Sequence, residues 1–505
     1  MPKLYLEKIL KARVYDVAIE TPMDIMPRLS ERLNNEIWLK REDLQPVFSF
    51  KLRGAYNKMA QLSDIERQQG VIAASAGNHA QGVALAANRL GIPATIVMPK
   101  TAPTIKVNAV RSRGSKVVLH GDTYDEAYHH ALKLAEEKSI CFIHPYDDPE
   151  VIAGQGTIAA EILNRKTQIP DIIFVPVGGG GLLAGIAAYT KTLYPEIKII
   201  GVEHEDAPSM YQALRQKRRI RLKEVGLFAD GAAVRQAGKE PFRIARRCVD
   251  DVILVTTDEI CAAIKDIFDD TRSIAEPAGA LATAGAKKYL HREKLSGKRV
   301  VSICSGANIN FDRLRHVAER AEVGEQREAL LAVTIPERPG SFLKFCRLLG
   351  KRSITEFNYR YADHAMAHIF VGIELSQGEK QKNALIELLR THDYPVTDMT
   401  DNEMAKMHVR YMVGGHSDSG ITESLYRFEF PERPGALLRF LSCIGRRWNI
   451  SLFHYRNHGS AYGRVLVGIQ IDKADKKELA GYFNSLGYAY WEESDNPAYQ
   501  LFLST

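Results

Sequence analysis

Four short segments of the sequence carry residue types that can perform chemistry together. In the first, VFSFKLRGAY, Lys51 stands between Phe50 and Leu52. Because an ammonium ion taken out of water is costly, an enclosed lysine shifts toward its neutral form and can act as an amine nucleophile or form a Schiff base. A lysine at the start of a helix can instead lay its stem on apolar surface and keep its charge in water. This segment alone leaves both interpretations open.

The second segment, residues 171–194, reads DIIFVPVGGGGLLAGIAAYTKTLY and takes an apolar strand through four glycines directly into a helix. Glycines let backbone N–H groups converge, and a helix N-terminus attracts anions, so the loop predicts a phosphate cradle. A dinucleotide site competes, since Glu203 and Glu205 follow about 20 residues on, where a ribose-binding acid stands in that motif. The loop comes late in the sheet and lacks a Gly-Lys-Ser/Thr ending, which favours a monophosphate.

The third segment, IAASAGNHAQG at residues 72–82, predicts a strand–turn–helix corner. Ser75 and Asn78 stand at the predicted helix start, where free backbone N–H groups suit a carboxylate or a phenolate oxygen. Serine and asparagine also cap helices without any further function, and an isolated histidine such as His79 is more often structural than catalytic.

The fourth segment, VVSICSGANIN at residues 300–310, ends a predicted strand at Cys304 and Ser305. A hydroxyl at this position can bond a ring nitrogen without protonating it fully, which tunes the electronics of a cofactor. A nearby segment, IAEPAGA, places Glu276 before a proline in a predicted turn, a position that an ordinary loop carboxylate can also occupy.

These segments must be positioned by the elements around them. From about residue 70 to 305, short apolar runs rich in β-branched residues alternate with amphipathic stretches. This alternation predicts parallel strands covered by helices. Ligands of such sheets bind beyond the carboxyl ends of the strands, and the second, third and fourth segments each follow a predicted strand. The sequence therefore predicts a site at that edge of the sheet.

The composition limits the possible functions. At 505 residues the chain has the length of roughly three domains. Lys and Arg total 68 against 61 Asp and Glu, a net charge of +7 with no long basic block, so we expect no nucleic-acid partner. No apolar run approaches the roughly 18 residues of a membrane span, and MPKLYLEKIL lacks the core of a signal peptide, so a cytoplasmic location is expected. The six cysteines show no C-x-x-C pairing, so no metal site is expected.

The last part of the chain repeats itself. TIPERPGSFLKFCRLLG, residues 334–350, matches EFPERPGALLRFLSCIG, residues 429–445, with a shift of 95 residues. Each copy predicts the order strand, helix, strand, strand, helix, strand, which is the split β-α-β arrangement. The predicted domains are a catalytic domain over 1–320, a charged linker over 321–328, and two modules over 329–402 and 424–499.

In this order and at these separations, VFSFKLRGA, SAGNHAQG, the four-glycine loop and CSGAN closely resemble the pyridoxal-phosphate enzymes of the tryptophan-synthase β type, fold type II. Within that group they resemble the serine/threonine dehydratases, and the two repeats resemble the paired ACT-like regulatory domains of biosynthetic threonine deaminases. The resemblance covers essentially the whole chain. It implies an α/β catalytic domain of two open subdomains, followed by two ferredoxin-like α+β modules.

The resemblance also implies a role for each segment. Lys51 forms a Schiff base with pyridoxal 5'-phosphate and, once displaced by the substrate amine, removes the α-proton, while Phe50 packs beside the ring. Asn78 bonds the 3-hydroxyl of the ring, and Ser305 faces the ring nitrogen, with Cys304 as the alternative. The cofactor phosphate is held by Gly178, Gly179, Gly180, Gly181 and Leu182, and the substrate carboxylate by Ser75, Ala76, Gly77, Asn78 and His79.

The implied reaction is a β-elimination that converts L-threonine to 2-oxobutanoate and ammonia, the first committed step of isoleucine biosynthesis. A neutral partner at the ring nitrogen favours elimination over transamination. L-Serine is a possible second substrate. Two other functions are weighed against this one: a nicotinamide-dependent dehydrogenase, and an amino-acid sensor on an inactive core. The intact Lys51 and the glycine loop argue against the sensor.

The repeats carry the implied regulation. In each copy a Pro-Gly turn follows the first strand, at residues 339–340 and 434–435, where ACT-like domains commonly place an amino-acid ligand. Tyr359 and Tyr455 recur at matching positions and either contact the effector or pack a strand face. The resemblance implies inhibition by isoleucine, relief by valine, and assembly into a homotetramer.

Overall fold

The chain divides into two compact units, Met1–Gly324 and Glu325–Thr505. The last helix of the first unit ends at Gly324, and the first strand of the second begins at Glu328, so the linker predicted at 321–328 overlaps both elements. The structure is a computed structural model that describes residues 2–164, 169–226, 228–311, 313–350, 352–360, 365–402, 405–406, 409–411, 423–431, 435–444, 447–456, 462–472, 474–496, 499 and 503.

Strands and helices alternate through the first unit. Its strands are β1 (Met23–Ile25), β2 (Glu36–Arg41), β3 (Val71–Ala74), β4 (Ala94–Met98), β5 (Lys116–Leu119), β6 (Cys141–Phe142), β7 (Ile172–Pro176), β8 (Lys198–His204), β9 (Asp251–Val255) and β10 (Arg299–Cys304). Its helices are α1 (Pro2–Leu10), α2 (Pro27–Leu33), α3 (Lys51–Ala60), α4 (Asp64–Gln69), α5 (Asn78–Leu90), α6 (Thr104–Arg111), α7 (Tyr124–Glu137), α8 (Pro149–Leu163), α9 (Gly181–Leu193), α10 (Ser209–Arg215), α11 (Lys239–Cys248), α12 (Thr257–Thr271), α13 (Pro277–Arg292) and α14 (Arg313–Gly324).

These strands form two separate sheets. One has six strands in the order β1-β2-β10-β7-β8-β9, and the other has four in the order β5-β4-β3-β6. All the described pairs are parallel except β1 with β2. Helices cover parallel sheets on both faces, which is why strands such as β3 and β7 are apolar and buried along their whole length. The predicted α/β domain with two open subdomains is confirmed.

Three helices approach one another backbone to backbone around the start of α3. A Cβ added to Gly154 of α8 would lie 2.6 Å from the carbonyl oxygen of Arg53 and 2.7 Å from the Cα of Gly54. A Cβ added to Gly82 of α5 would lie 3.0 Å from the carbonyl carbon of Lys51. Contacts this close exclude any larger side chain, so these glycines let α5 and α8 enclose the first turn of α3.

A network of buried charges anchors the same turn. Arg53 is fully buried and donates to both carboxylate oxygens of Glu42 at 2.8 Å and to Glu161 at 2.5 and 3.1 Å. Glu161 also accepts from Lys40 at 2.5 Å. Burial opposes ionisation of Glu42, but the Arg53 guanidinium outweighs it and holds the pKa of Glu42 below its ordinary value. Because buried charges persist only when paired, the network ties α3 to α8 and to the end of β2.

The second unit contains the two repeats. Its strands are β11 (Glu328–Pro336), β12 (Ile354–Arg360), β13 (Met366–Glu374), β14 (Val396–Asp398), β15 (Glu423–Pro431), β16 (Asn449–Arg456), β17 (Tyr462–Gln470) and β18 (Ala489–Glu492). Its helices are α15 (Ser341–Leu349), α16 (Gly378–Arg390), α17 (Ala436–Ile444) and α18 (Lys476–Leu486).

These strands join into one antiparallel sheet in the order β14-β11-β13-β12-β16-β17-β15-β18. Strands β12 and β16 pair with Phe357 opposite Tyr455, so the two repeats share the sheet edge to edge. Each repeat follows the split β-α-β order, which confirms the predicted ferredoxin-like modules. Among the described residues, no helix of either unit is long and apolar enough to cross a membrane.

Candidate active site

Lys51 is the first residue of α3, and its amine lies against the loop that precedes α8. The amine donates to the carbonyl oxygen of Pro145 at 3.1 Å and lies 5.2 Å from the centre of the Phe50 ring. Burial lowers the pKa of Lys51 from 10.5 to about 8, against the opposing field of Glu276. The positive end of the helix dipole also disfavours a charged lysine at this position. A neutral amine is therefore accessible near physiological pH.

The glycine loop joins β7 to α9. Gly180, with φ +92°, precedes the first turn of α9, in a backbone conformation that a side chain would strain. A Cβ added to Gly179 would lie 2.2 Å from the ring of Tyr146, and one added to Gly178 would lie 3.0 Å from Ala232. The first N–H groups of α9 have no partners within their own helix, so this tight loop can bind an anion.

Pro145 and Tyr146 connect the two parts of this site. The carbonyl oxygen of Pro145 accepts from the Lys51 amine, and the ring of the next residue, Tyr146, packs on the backbone of Gly179. The amine of Lys51 and the glycine loop predicted to bind phosphate therefore contact adjacent residues of one loop. The sequence contained no signal for Tyr146, because its neighbours are brought to it by β6, β7 and α3.

Asn78 opens α5, and its amide is held from two sides. Its Nδ2 donates to Oε1 of Glu276 at 2.5 Å, and its Oδ1 accepts from Nδ2 of Asn308 at 2.7 Å. Glu276 is buried, and burial together with the nearby Asp230 raises the pKa of Glu276 to about 7. Glu276 is therefore not an ordinary loop carboxylate, since its side chain points into the site and contacts one of the predicted residues.

Ser305 and Cys304 lie at the end of β10 with different surroundings. The hydroxyl of Ser305 donates to the carbonyl oxygen of Ala278 at 3.3 Å. The main-chain carbonyl oxygen of Ser305 accepts from the N–H of Phe50 at 3.2 Å. Cys304 belongs to the apolar core between the sheet and its helices, and burial followed by Asp43 raises the pKa of its thiol. Of the two, Ser305 is the one bonded to the segment that carries Lys51.

The 75–79 turn places its groups near the same helix start. Ser75 Oγ accepts from the N–H of Gly77 at 3.1 Å, and a Cβ added to Gly77 would meet no described atom within 4 Å. The backbone of the turn is therefore open to a small ligand. His79 is bonded through Nε2 to the carbonyl oxygen of Ile143 at 2.9 Å, and burial, followed by Lys51, lowers the pKa of His79 to about 3. His79 is consequently neutral and does not supply a proton.

Glu203 is not available as the ribose-binding acid that a dinucleotide site would need. This residue is fully buried in β8, and its carboxylate accepts from the N–H groups of Met210 at 2.9 Å and Tyr211 at 2.8 Å. Its oxygens are therefore engaged by the start of α10. In the part of the chain that the structure describes, no group of three or more His, Cys, Asp or Glu could hold a metal ion.

Tyr359 and Tyr455 are both buried in the sheet of the second unit. The hydroxyl of Tyr359 donates to Glu337, the second residue of the Pro-Glu-Arg-Pro-Gly turn. Glu337 also accepts from Nδ2 of Asn449 at 2.8 Å, which lies at the start of β16 in the other repeat. One candidate effector residue is thus connected to the turn of its own repeat and, through Glu337, to the second repeat.

Comparison with known proteins places both units in characterised families. The profile of the family described as "Pyridoxal-phosphate dependent enzyme" matches residues 14–306. The profile described as "C-terminal regulatory domain of Threonine dehydratase" matches twice, at 319–409 and 415–503. The chain is 56% identical to "L-threonine dehydratase biosynthetic IlvA" of Burkholderia multivorans, and the match covers 99% of each protein. It is 53% identical to the protein of the same name from Escherichia coli K12, and that match covers 99% of this chain and 97% of the relative.

Two solved structures are similar to part of this chain. Threonine deaminase isoform 2 from Solanum lycopersicum, in its processed form, is 51% identical with a TM-score of 0.62, covering 63% of this chain and 93% of that one. Maize serine racemase is 31% identical with a TM-score of 0.58, covering 62% of this chain and 96% of that one.

The glycine loop yields a direct prediction about cofactor retention. Gly179→Asp should cause the protein to lose pyridoxal phosphate during dialysis, because the new side chain would clash with Tyr146 and bring a negative charge toward a phosphate of about −1.5 to −2. Gly481→Asp is the control, since a Cβ added there would meet no described atom within 4 Å. Retention of the cofactor by Gly179→Asp at the level of the control would contradict this placement of the phosphate.

Proposed function

The chain belongs to the family of pyridoxal-phosphate-dependent threonine dehydratases, and on that premise we propose that it converts L-threonine to 2-oxobutanoate and ammonia, with Lys51 as its catalytic lysine. The observation that carries the assignment of Lys51 is its desolvated amine, bonded to Pro145 next to the residue that packs on the glycine loop. Some activity toward L-serine belongs to the same proposal.

The residues of the site fit pyridoxal phosphate. The loop of Gly178 to Gly181, with Leu182, offers an anion cradle at the start of α9. Asn78 presents an amide of defined orientation, Ser305 presents a hydroxyl, and Lys51 presents an amine that is readily neutral. When bound, the cofactor supplies an electron-withdrawing ring that acidifies the α-carbon of the substrate.

The chain's own residues account for the remaining steps. Neutral Lys51 accepts the α-proton of threonine at Nζ, and the β-hydroxyl leaves as water by taking up the proton that Lys51 has accepted, which returns the lysine to its neutral form. The resulting enamine hydrolyses to 2-oxobutanoate and ammonia. The open backbone of the Ser75–Gly77 turn, at the start of α5, binds the substrate carboxylate. Ser305 would hold the ring nitrogen through an uncharged hydroxyl, and such a neutral partner would favour elimination over transamination.

Regulation is assigned to the second unit, because both of its repeats match a threonine dehydratase regulatory domain. In this proposal isoleucine inhibits and valine relieves the inhibition, with Tyr359 and Tyr455 at the effector sites. The bond from Tyr359 to Glu337 supports a link between an effector near the turn and the strand of the adjacent repeat. An effector acts only through different affinities for two arrangements of the protein. A cytoplasmic homotetramer completes the proposal.

The catalytic assignment is tested by Lys51→Ala. We expect a folded protein whose production of 2-oxobutanoate falls by at least about 10²–10⁴, the usual cost of removing a general base. Lys58→Ala is the matched control, because Lys58 lies in the same helix and pairs with Asp148 at 3.1 Å. Turnover by Lys51→Ala comparable with that of the control would refute the role of Lys51.

The regulatory assignment is tested by removing the residues from Glu325 onward. Every residue proposed for chemistry lies in the compact unit that ends at Gly324, so the shortened protein should still convert threonine. Isoleucine should no longer inhibit it. The measurement is threonine turnover by the soluble, shortened protein with and without isoleucine, compared with the full chain. Persistent inhibition by isoleucine would place the effector site in the first unit.

A further inference from the structure

Glu276 is a buried carboxylate to which the proposed reaction gives no role. It immediately precedes α13, a position where an acidic side chain commonly bonds the first N–H groups of its own helix. Among the described residues, Glu276 makes no such side-chain cap. Its Oε1 instead accepts from Nδ2 of Asn78 at 2.5 Å, and the main-chain N–H of Asn308 also stabilises its charged form. Capping therefore does not explain its burial.

The local backbone is shaped to admit this carboxylate. A Cβ added to Gly306 would lie 2.5 Å from Oε1 of Glu276, and one added to Gly279 would lie 2.2 Å from the carbonyl oxygen of Gly306. The N–H of Glu276 donates to the same carbonyl oxygen at 3.1 Å. The start of α13 and the segment after β10 consequently fit together only without side chains at these two positions.

The amide of Asn78 has one orientation that satisfies its neighbours. Its Oδ1 accepts from Nδ2 of Asn308, and Asn308 is itself held by a second bond from Nδ2 to the carbonyl oxygen of Val47 at 2.8 Å. Reversing the Asn78 amide would set an oxygen against the Glu276 carboxylate and an NH₂ group against the NH₂ of Asn308. Both contacts would be repulsive. Among the residues that the structure describes, Asn78 Nδ2 donates to Glu276, and its second N–H is left for another acceptor.

We propose that Glu276 is a positioning residue for the cofactor, because together with Asn308 it holds the Asn78 amide with its NH₂ group directed to the ring oxygen of pyridoxal phosphate. The inference rests on the cofactor assignment made above. Glu276 acts through Asn78 as a hydrogen-bond acceptor. The remaining N–H of Asn78 then stabilises negative charge on the ring oxygen, which sets how the proton is shared between that oxygen and the cofactor's imine nitrogen.

The test measures the ratio of the long-wavelength to the short-wavelength absorbance band of the bound cofactor, in the wild-type holoenzyme and in variants. This ratio reports whether the proton resides on the imine nitrogen or on the ring oxygen. Glu276→Ala should change the ratio by about fivefold, the effect of one hydrogen bond, and should speed loss of cofactor in dialysis. Glu276→Gln should keep the wild-type ratio, because the side-chain carbonyl oxygen of the glutamine still accepts from Asn78. Asn308→Ala, which releases the other side of the amide, should shift the ratio in the same direction as Glu276→Ala.

A double-mutant comparison separates positioning from general damage. In an Asn78→Ala background, Glu276→Ala should produce no further change in the ratio, whereas an additive change would overturn the proposal. Glu203→Gln is the control for altering a buried carboxylate, and it should leave the ratio unchanged. An unchanged ratio in both Glu276→Ala and Asn308→Ala would overturn the inference alone. Absence of the visible band from the wild-type protein would instead overturn the cofactor assignment.

Discussion

The removal of one lysine amine from water is the constraint on which the catalytic unit depends. Lowering the pKa of Lys51 from 10.5 to about 8 corresponds to about 3 kcal/mol of preference for the neutral amine. Because the folded pKa lies below the unfolded one, this cost is fully present below about pH 8 and disappears as the pH rises toward 10.5. The surrounding structure must offset the cost while keeping the amine accessible to a small ligand.

Two features of the fold supply that support. Close contacts at Gly82 and Gly154 let α5 and α8 enclose the first turn of α3, and the fully buried Arg53 ties that turn to Glu42 and Glu161. Removing one partner from a buried ion pair typically costs about 3–5 kcal/mol because the other charge is left buried and unpaired, so Arg53 must stay beside Glu42 and Glu161. A fully paired arginine two residues after Lys51 therefore fixes the backbone from which the Lys51 side chain extends.

Local patterns in the sequence predicted much of this arrangement, and long-range contacts account for what they missed. The glycine loop, the helix starts at Lys51 and Asn78, and the repeated Pro-Glu-Arg-Pro-Gly modules are all properties of short segments. No local pattern distinguished Glu276 from an ordinary loop carboxylate, because its partner Asn78 is 198 residues away. The contact of Arg53 with Glu161 spans 108 residues and likewise leaves no local signal. Such pairs depend on how elements distant in the sequence pack together, and no short segment reveals that packing.

The most direct test of this account is the pH dependence of cofactor capture by the cofactor-free protein, followed through the visible band of bound pyridoxal phosphate. Only the neutral amine can attack the cofactor's aldehyde, so the capture rate follows the titration of Lys51. If Lys51 is the amine that captures the cofactor, the rate should rise with pH and level off with a midpoint near 8. A midpoint near 10.5, the value of an unperturbed lysine, would contradict it.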